Sequence, residues 1–423
     1  MSDLPPSDPG RSGRPRGGAV DVDELRGLLR GVIDPELGSD IVDLGMVREV
    51  TADDAGHVVV TIALTTAGCP LRAQIQRDIR TRLGSATGVT DVKLDWAEMT
   101  VEERTGAMAK ARWNITQRPE DTAIGATTKV ILVASGKGGV GKSSVTVNLA
   151  AALAARGLTV GVLDADVWGF SVPRMLGVSG RLGGVERDGR KMMIPHERQV
   201  GTGKLRIISM GFLVEDEASA LMWRGLMLNR GVQHFLQDVE WGDDLDYLLV
   251  DMPPGTGDVQ MGVAKLIPRA EVLVITTPAL AAQKVAERAV SMARKSYLRV
   301  AGVVENMSAF TCDHGVSYAL FGSGGGQALA EAAGAPLLAQ IPLEPDIVAG
   351  GDAGAPAALG DGPAAEAFRA LAEVVVTEAV PPVAMAGCTA RMLDAAVAAL
   401  DALDADTAPS EATDAPIEVP SPS

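Results

Sequence analysis

SGKGGVGKSS, residues 135–144, satisfies the pattern G-x-x-x-x-G-K-[ST] through Gly136, Gly141, Lys142 and Ser143. In such a loop the glycines let backbone N–H groups converge on phosphate oxygens. The closing lysine reaches the β- and γ-phosphates, and the hydroxyl ligates magnesium. The match carries weight only between a strand and a helix, and both are present. KVILVAS (129–135) precedes it as a continuous apolar run, and Val145, Leu149 and Leu153 recur at helical spacing from Ser143 until Gly157 stops them. Gly136, Lys137, Gly138, Gly139, Val140, Gly141, Lys142, Ser143 and Ser144 are therefore read as a nucleotide-binding loop, with Ser143 on the magnesium.

Working outward, residues 128–380 alternate short apolar runs with helical stretches: TVGVLDAD, LRIISMGF, YLLVDMPP, EVLVITTP, VAGVVENM and LLAQIP. Apolar strands joined by helical crossovers imply an α/β fold, a mostly parallel, doubly wound sheet covered on both faces. Ligands of such sheets gather at the carboxyl ends of the strands. LLVDMPPGTGD places Asp251 at one such end, where a carboxylate holds magnesium, and VLDADVWG places Asp164 and Asp166 at another. Three segments thus converge on one triphosphate. The alternative, that these aspartates only cap helices, explains one segment but not three.

Ahead of this domain a small α/β unit is expected over 19–104. VDELRGLLRGVI is helical, HVVVTIALT (57–65) and GVTDVKLDW are strands, and Leu71, Ile75, Ile79 and Leu83 form an apolar stripe on a helix started by Pro70. Residues 105–127 lose periodicity and read as a linker, with Trp113 hinting at a docked patch. Residues 1–18 and an acidic tail after a terminal amphipathic helix (388–404), within 381–423, read as disordered. A net charge of −16 argues against nucleic-acid and anionic-membrane partners. No apolar leader or run of eighteen apolar residues is present. Cys69, Cys312 and Cys388 are too far apart for a disulfide framework, so a cytoplasmic, reducing setting is expected.

Lys137 is a second cation in a loop that needs one. KGGVGKS resembles the deviant phosphate loop of MinD/ParA-type and nitrogenase-reductase-like ATPases. That resemblance implies a nucleotide-sandwich homodimer in which Lys137 reaches the partner's phosphates and stabilises transition-state charge in trans. The blocks DADVWGFSVPRMLG, WRGLM, DYLLVDMPPGTGD, TTPALAAQKVAERA, GVVENMS and FGSGGG resemble the Mrp/ApbC family of iron–sulfur cluster carrier ATPases. DPELGSDIVDLGMV and TTAGCPL resemble the small iron–sulfur-assembly domain that many of them carry. The likeness spans about residues 20–375. It implies ATP hydrolysis, delivery of a cluster to apoproteins, Asp166 positioning the attacking water, Asp251 on the magnesium side and Asn306 reading adenine. Phe170 and Leu226 stand where that family usually has proline.

ENMSAFTCDHGVSYALFG departs from the resemblance in its chemistry. Many family members carry C-x-x-C here, so that a dimer supplies four thiolates, whereas this chain has Cys312 and then Gly315. His314, or Cys69 at a helix start, would make up the ligand deficit. Two readings of Cys312 stay open, a cluster ligand and a small hydrophobe; Cys388 is read as the latter. Three functions are therefore compared: a cluster-carrying ATPase, an adaptor that binds nucleotide without a cluster, and a spatial regulator. The last needs a basic tail, but the terminal helix offers Arg391 against Asp394, Asp401 and Asp404.

Overall fold

The P-loop strand, Lys129–Ser135, lies near the middle of an eight-stranded sheet. From one edge the order is His196–Val200, Gly203–Ser209, Thr159–Asp164, Tyr247–Asp251, Lys129–Ser135, Glu271–Thr276, Arg299–Asn306 and Leu337–Ile341. All neighbours run parallel except the first pair. The expected mostly parallel sheet is present, and each expected apolar strand is in it. The antiparallel edge strand is additional. HERQV is too polar to read as a core strand, yet it alternates half-buried with exposed positions until Val200 is buried, as a one-faced edge strand does. The computed structural model describes residues 20–34, 37, 39–65, 72–117, 122–166, 169–187, 189–213, 225–255 and 258–382. The expected tail over 1–18, Cys69, Cys388 and the terminal segment after 382 lie outside them.

Successive residues of the P-loop strand enter opposite cores. Val130, Leu132 and Ala134 pack under the helices Gly225–Gln237, Asp258–Leu266, Leu280–Lys295 and Gly325–Ala333. Ile131 and Val133 pack under Lys142–Ala155 and Pro363–Val374. Lys142–Ala155 is buried on most sides, not on one Val145–Leu149–Leu153 stripe alone. The Pro363–Val374 helix and the 357–359 turn cover its outer side, and Asn148 Oδ1 accepts the Ala358 N–H at 2.8 Å.

The small unit is a three-stranded sheet, Val47–Ala52 antiparallel to His57–Leu64, which runs parallel to Asp91–Glu98. A parallel pair needs a crossover, and the helix Arg72–Leu83 supplies it, with Ile75, Ile79 and Leu83 fully buried. Part of the expected linker over 105–127 is instead helix, Val101–Gln117. Its apolar period is faint, but Thr100 and Glu103 form a reciprocal capping box. The Glu103 carboxylate accepts the Thr100 N–H at 2.7 Å, and the Thr100 hydroxyl accepts the Glu103 N–H at 3.1 Å. Ala107 joins the small unit's core, and Lys110 Nζ donates to the Asp43 carbonyl at 2.7 Å.

The two sheets meet at the amino ends of the large sheet's strands. Arg82 Nη2 donates to Glu271 Oε1 at 3.1 Å and to the Arg269 carbonyl at 2.7 Å. From the large sheet, Arg299 Nη1 donates to Glu271 Oε2 at 2.8 Å and to the Ala379 carbonyl at 2.9 Å. Tyr297, held at a positive φ of 56°, lays its ring over Gly27, where a Cβ would come within 2.4 Å of it. Burial acts to raise the Glu271 carboxyl, but Arg299, Arg82 and Lys129 outweigh it and hold it below the usual carboxylate range.

Glu271→Gln leaves two buried guanidiniums without their counter-charge and should cost about 3–5 kcal/mol in urea unfolding. Glu103→Gln, at the solvent-screened pair with Arg48, should cost far less. Because the folded carboxyl is held low, its contribution is present above the ordinary value of 4.5 and is lost as pH falls below it. The gap between wild type and Glu271→Gln should therefore narrow below that pH. A gap that persists there would show that the charge is not what matters.

Candidate functional site

The P-loop leaves its strand at Ser135 and turns through Gly139 and Gly141, at φ of 80° and 79°. Both conformations suit glycine. Added Cβ atoms at Gly138 and Gly139 would meet nothing within 4 Å, so backbone faces open space there. The fourteen-residue helix Lys142–Ala155 starts directly after, aiming free N–H groups and the positive end of its dipole at that space. An open cleft runs along this loop, lined also by Asp166, Ser171, Met175 and Pro254.

At its floor Lys142 Nζ meets Asp251 Oδ1 at 2.6 Å. Ser143 Oγ donates to Asp251 Oδ2 at 2.5 Å, and Thr146 Oγ1 to Asp251 Oδ1 at 3.0 Å. Lys142 is buried and Asp251 fully so. Sequence reading found Lys142, Ser143 and Asp251 but missed Thr146. The available signal was its position four residues after Lys142, on the same helix face. One hydroxyl and one carboxylate oxygen side by side, next to a phosphate-sized opening, are the hard-oxygen donors magnesium takes in such sites, with waters and phosphate completing its shell. The residues fit magnesium–nucleotide.

Asp164 and Asp251 are register partners on adjacent strands. Asp164 accepts the Asp166 N–H at 3.1 Å and the Ser209 hydroxyl at 3.1 Å, which fixes the loop carrying Asp166. Burial, and then the neighbouring Asp251 charge, push the Asp164 carboxyl up to about 8. Asp166 is itself buried and lines the cleft. Phe170 is accommodated by Gly211, whose missing side chain leaves room for the ring. The side chain at Leu226 lies outside the described positions.

Lys137 is exposed on the rim, and its carbonyl accepts the Ser135 hydroxyl at 3.0 Å. Asn306 is buried at the loop's far side, its Nδ2 donating to the Val140 carbonyl at 2.9 Å. Met307 follows at a φ of 59°, and the chain enters a small hairpin, Phe310–Thr311 with Ser317–Tyr318. Cys312 begins its turn, which Gly315 closes by donating its N–H to the Cys312 carbonyl at 2.8 Å. Cys312 is half-buried and in no disulfide, and His314 is exposed. Among the described residues no three His, Cys, Asp or Glu side chains are placed to hold a metal ion together.

Because folded Asp164 keeps its proton and the unfolded chain gives it up from about 3.8, stability should fall as pH rises between 3.8 and about 8 and then level off. Asp164→Asn has no such proton to lose. In urea unfolding of the nucleotide-free protein, its stability relative to wild type should climb across that window. A flat difference would refute the neutral carboxyl.

Residues 126–376 match the family described as NUBPL iron-transfer P-loop NTPase, and residues 23–94 match the iron-sulfur cluster assembly protein family. A Mycobacterium tuberculosis protein named iron-sulfur cluster carrier protein is 47% identical over 343 residues, 79% of this chain and 87% of its own. A Deinococcus radiodurans protein of the same name is 44% identical over 357 residues, 84% of this chain and 94% of its own. A solved nucleotide-binding protein from Archaeoglobus fulgidus, in complex with ADP, is 35% identical across 53% of this chain and 86% of its own, at a TM-score of 0.46. With the first match covering well over half the chain and relatives this similar across most of it, the chain belongs to the iron-transfer P-loop NTPase family.

Proposed function

We propose that this chain is a cytoplasmic, homodimeric ATPase that carries an iron–sulfur cluster and hands it to apoproteins. The observation that carries the reading is the Asn306 amide. It ties the P-loop, at Val140, to the strand that runs into the Cys312 hairpin. A change at the phosphates therefore has a short path to the cysteine. The names of the relatives point the same way. Among the described residues no helix is long and apolar enough to cross a membrane.

For nucleotide, Lys142 would leave Asp251 for the β- and γ-phosphates, and Ser143 with Asp251 would hold magnesium. Bound magnesium would supply charge neutralisation at the phosphates. Asn306 would face the adenine. Asp166, steadied through Asp164, would orient the attacking water. Lys137 stands exposed, free to reach a partner subunit's phosphates and add the charge that drives hydrolysis. The hairpin supports a dimer: Val316, Tyr318, Leu320 and Phe321 are each 43–59% exposed in the single chain, an apolar patch suited to cover by a second copy. Two hairpins would then bring two Cys312 thiolates to one cluster. A second reading has its own observation. One cysteine per hairpin falls short of the four ligands a cluster takes, which favours a nucleotide-dependent adaptor that does not hold the cluster itself.

Anaerobic reconstitution separates the two. Wild type should retain iron and sulfide that Cys312→Ala loses, while ATPase activity survives in both. Equal iron in the two proteins would move the function to the adaptor. For the nucleotide side, Lys142→Ala should lose ATP binding. Lys137→Ala should keep ATP affinity within a few fold and lose turnover by about 10³-fold or more, the scale of a trans cation. Unchanged turnover in Lys137→Ala would remove the trans role.

A further inference from the structure

At the opposite end of the sheet from the P-loop, a cavity of about 190 Å³ opens between the small unit and the large sheet. Its wall carries five cationic side chains, Arg77, Arg82, Lys129, Arg269 and Arg299, against three carboxylates. That is a net positive concavity in a chain whose net charge is −16. Its deepest charges are also unbalanced. Arg82 and Arg299, with side chains 6% and 9% exposed, share the single carboxylate of Glu271, itself 10% exposed. A buried excess positive charge is costly unless something neutralises it. Arg82 shows the deficit at one atom. Its Nη1, buried against Gly31, has no hydrogen-bond partner among the described residues. Nearer the mouth, Arg77 is exposed and makes no ion pair among the described residues, while Lys129 reaches Asp78 only at 4.0 Å.

Water alone would fill the space but would not answer the charge. We infer that this interdomain cavity is a binding site for a small dianion of the size and charge of inorganic phosphate, held between the assembly-type unit and the NTPase sheet. Both units contribute to it, Arg77 and Arg82 from one and Lys129 and Arg299 from the other. A bound dianion would therefore brace the joint between them. The site is separate from the P-loop cleft, shares no lining residue with it, and does not depend on what the hairpin carries.

The test is equilibrium dialysis of the full chain against radiolabelled inorganic phosphate, with magnesium and ADP saturating the P-loop. One phosphate per chain is expected, retained in Lys142→Ala and released by added salt. Arg77→Gln with Lys129→Gln should weaken it by about tenfold or more, and Arg77→Lys with Lys129→Arg should keep it. Thr81→Glu places a repelling carboxylate on the cavity wall at an exposed helix position and removes no described contact. It should abolish binding even if the glutamine pair loosens the fold. The inference is overturned if no phosphate is retained. It is equally overturned if the retained phosphate disappears in Lys142→Ala while ignoring Thr81→Glu.

Discussion

One buried ammonium between two buried carboxylates governs the nucleotide cleft. Lys142 can neutralise Asp251 or Asp164 but not both, and its 2.6 Å contact commits it to Asp251. Asp164, on the next strand, therefore sits fully buried and protonated, while Ser209 and the Asp166 backbone supply its hydrogen bonds. This balance would also couple nucleotide to a divalent cation. Drawing Lys142 toward a phosphate would strip Asp251 of its counter-charge in a dry site, and a cation held by Asp251 and Ser143 would restore it.

The fold was legible where burial on both faces leaves an unbroken apolar run. YLLVD and EVLVIT are buried at every position, and so read as central strands. Asp251 and Asp164 were legible as site residues because each ends such a run. The helix 101–117 was not, since among its described side chains Ala107 alone joins the small unit's apolar core, and Glu103, Arg104 and Lys110 reach that unit through polar contacts that print no apolar period. Its capping box at Thr100 and Glu103 was readable all the same. The interdomain triad was beyond reach. Arg82 and Glu271 are 189 positions apart, and nothing in the local sequence of either names the other.

The departures from the family pattern differ in their physical weight. Phe170 is absorbed by Gly211, a local exchange of one ring for one missing side chain. Three places after Cys312 the chain has Gly315, at a φ of 77°, where it closes the hairpin turn. A cysteine there would adopt a left-handed conformation at some cost. The turn therefore suits the glycine at that position.

Arg299–Asn306 links the two ends of the molecule. All eight of its residues are buried, and it runs from the guanidinium in the interdomain triad to the amide on the P-loop. At about 3.3 Å per residue it spans roughly 26 Å. It is paired on one side from Arg299 and on both sides from Val303 to Glu305, which leaves its carboxyl end as the place where the backbone changes direction. The end is Met307, a residue without the freedom of glycine held at positive φ, with Ser308 pinned just beyond it to the Ile341 carbonyl at 2.9 Å. One residue in a conformation that costs a non-glycine side chain thus separates the strand that holds the P-loop amide from the segment leading to the Cys312 turn.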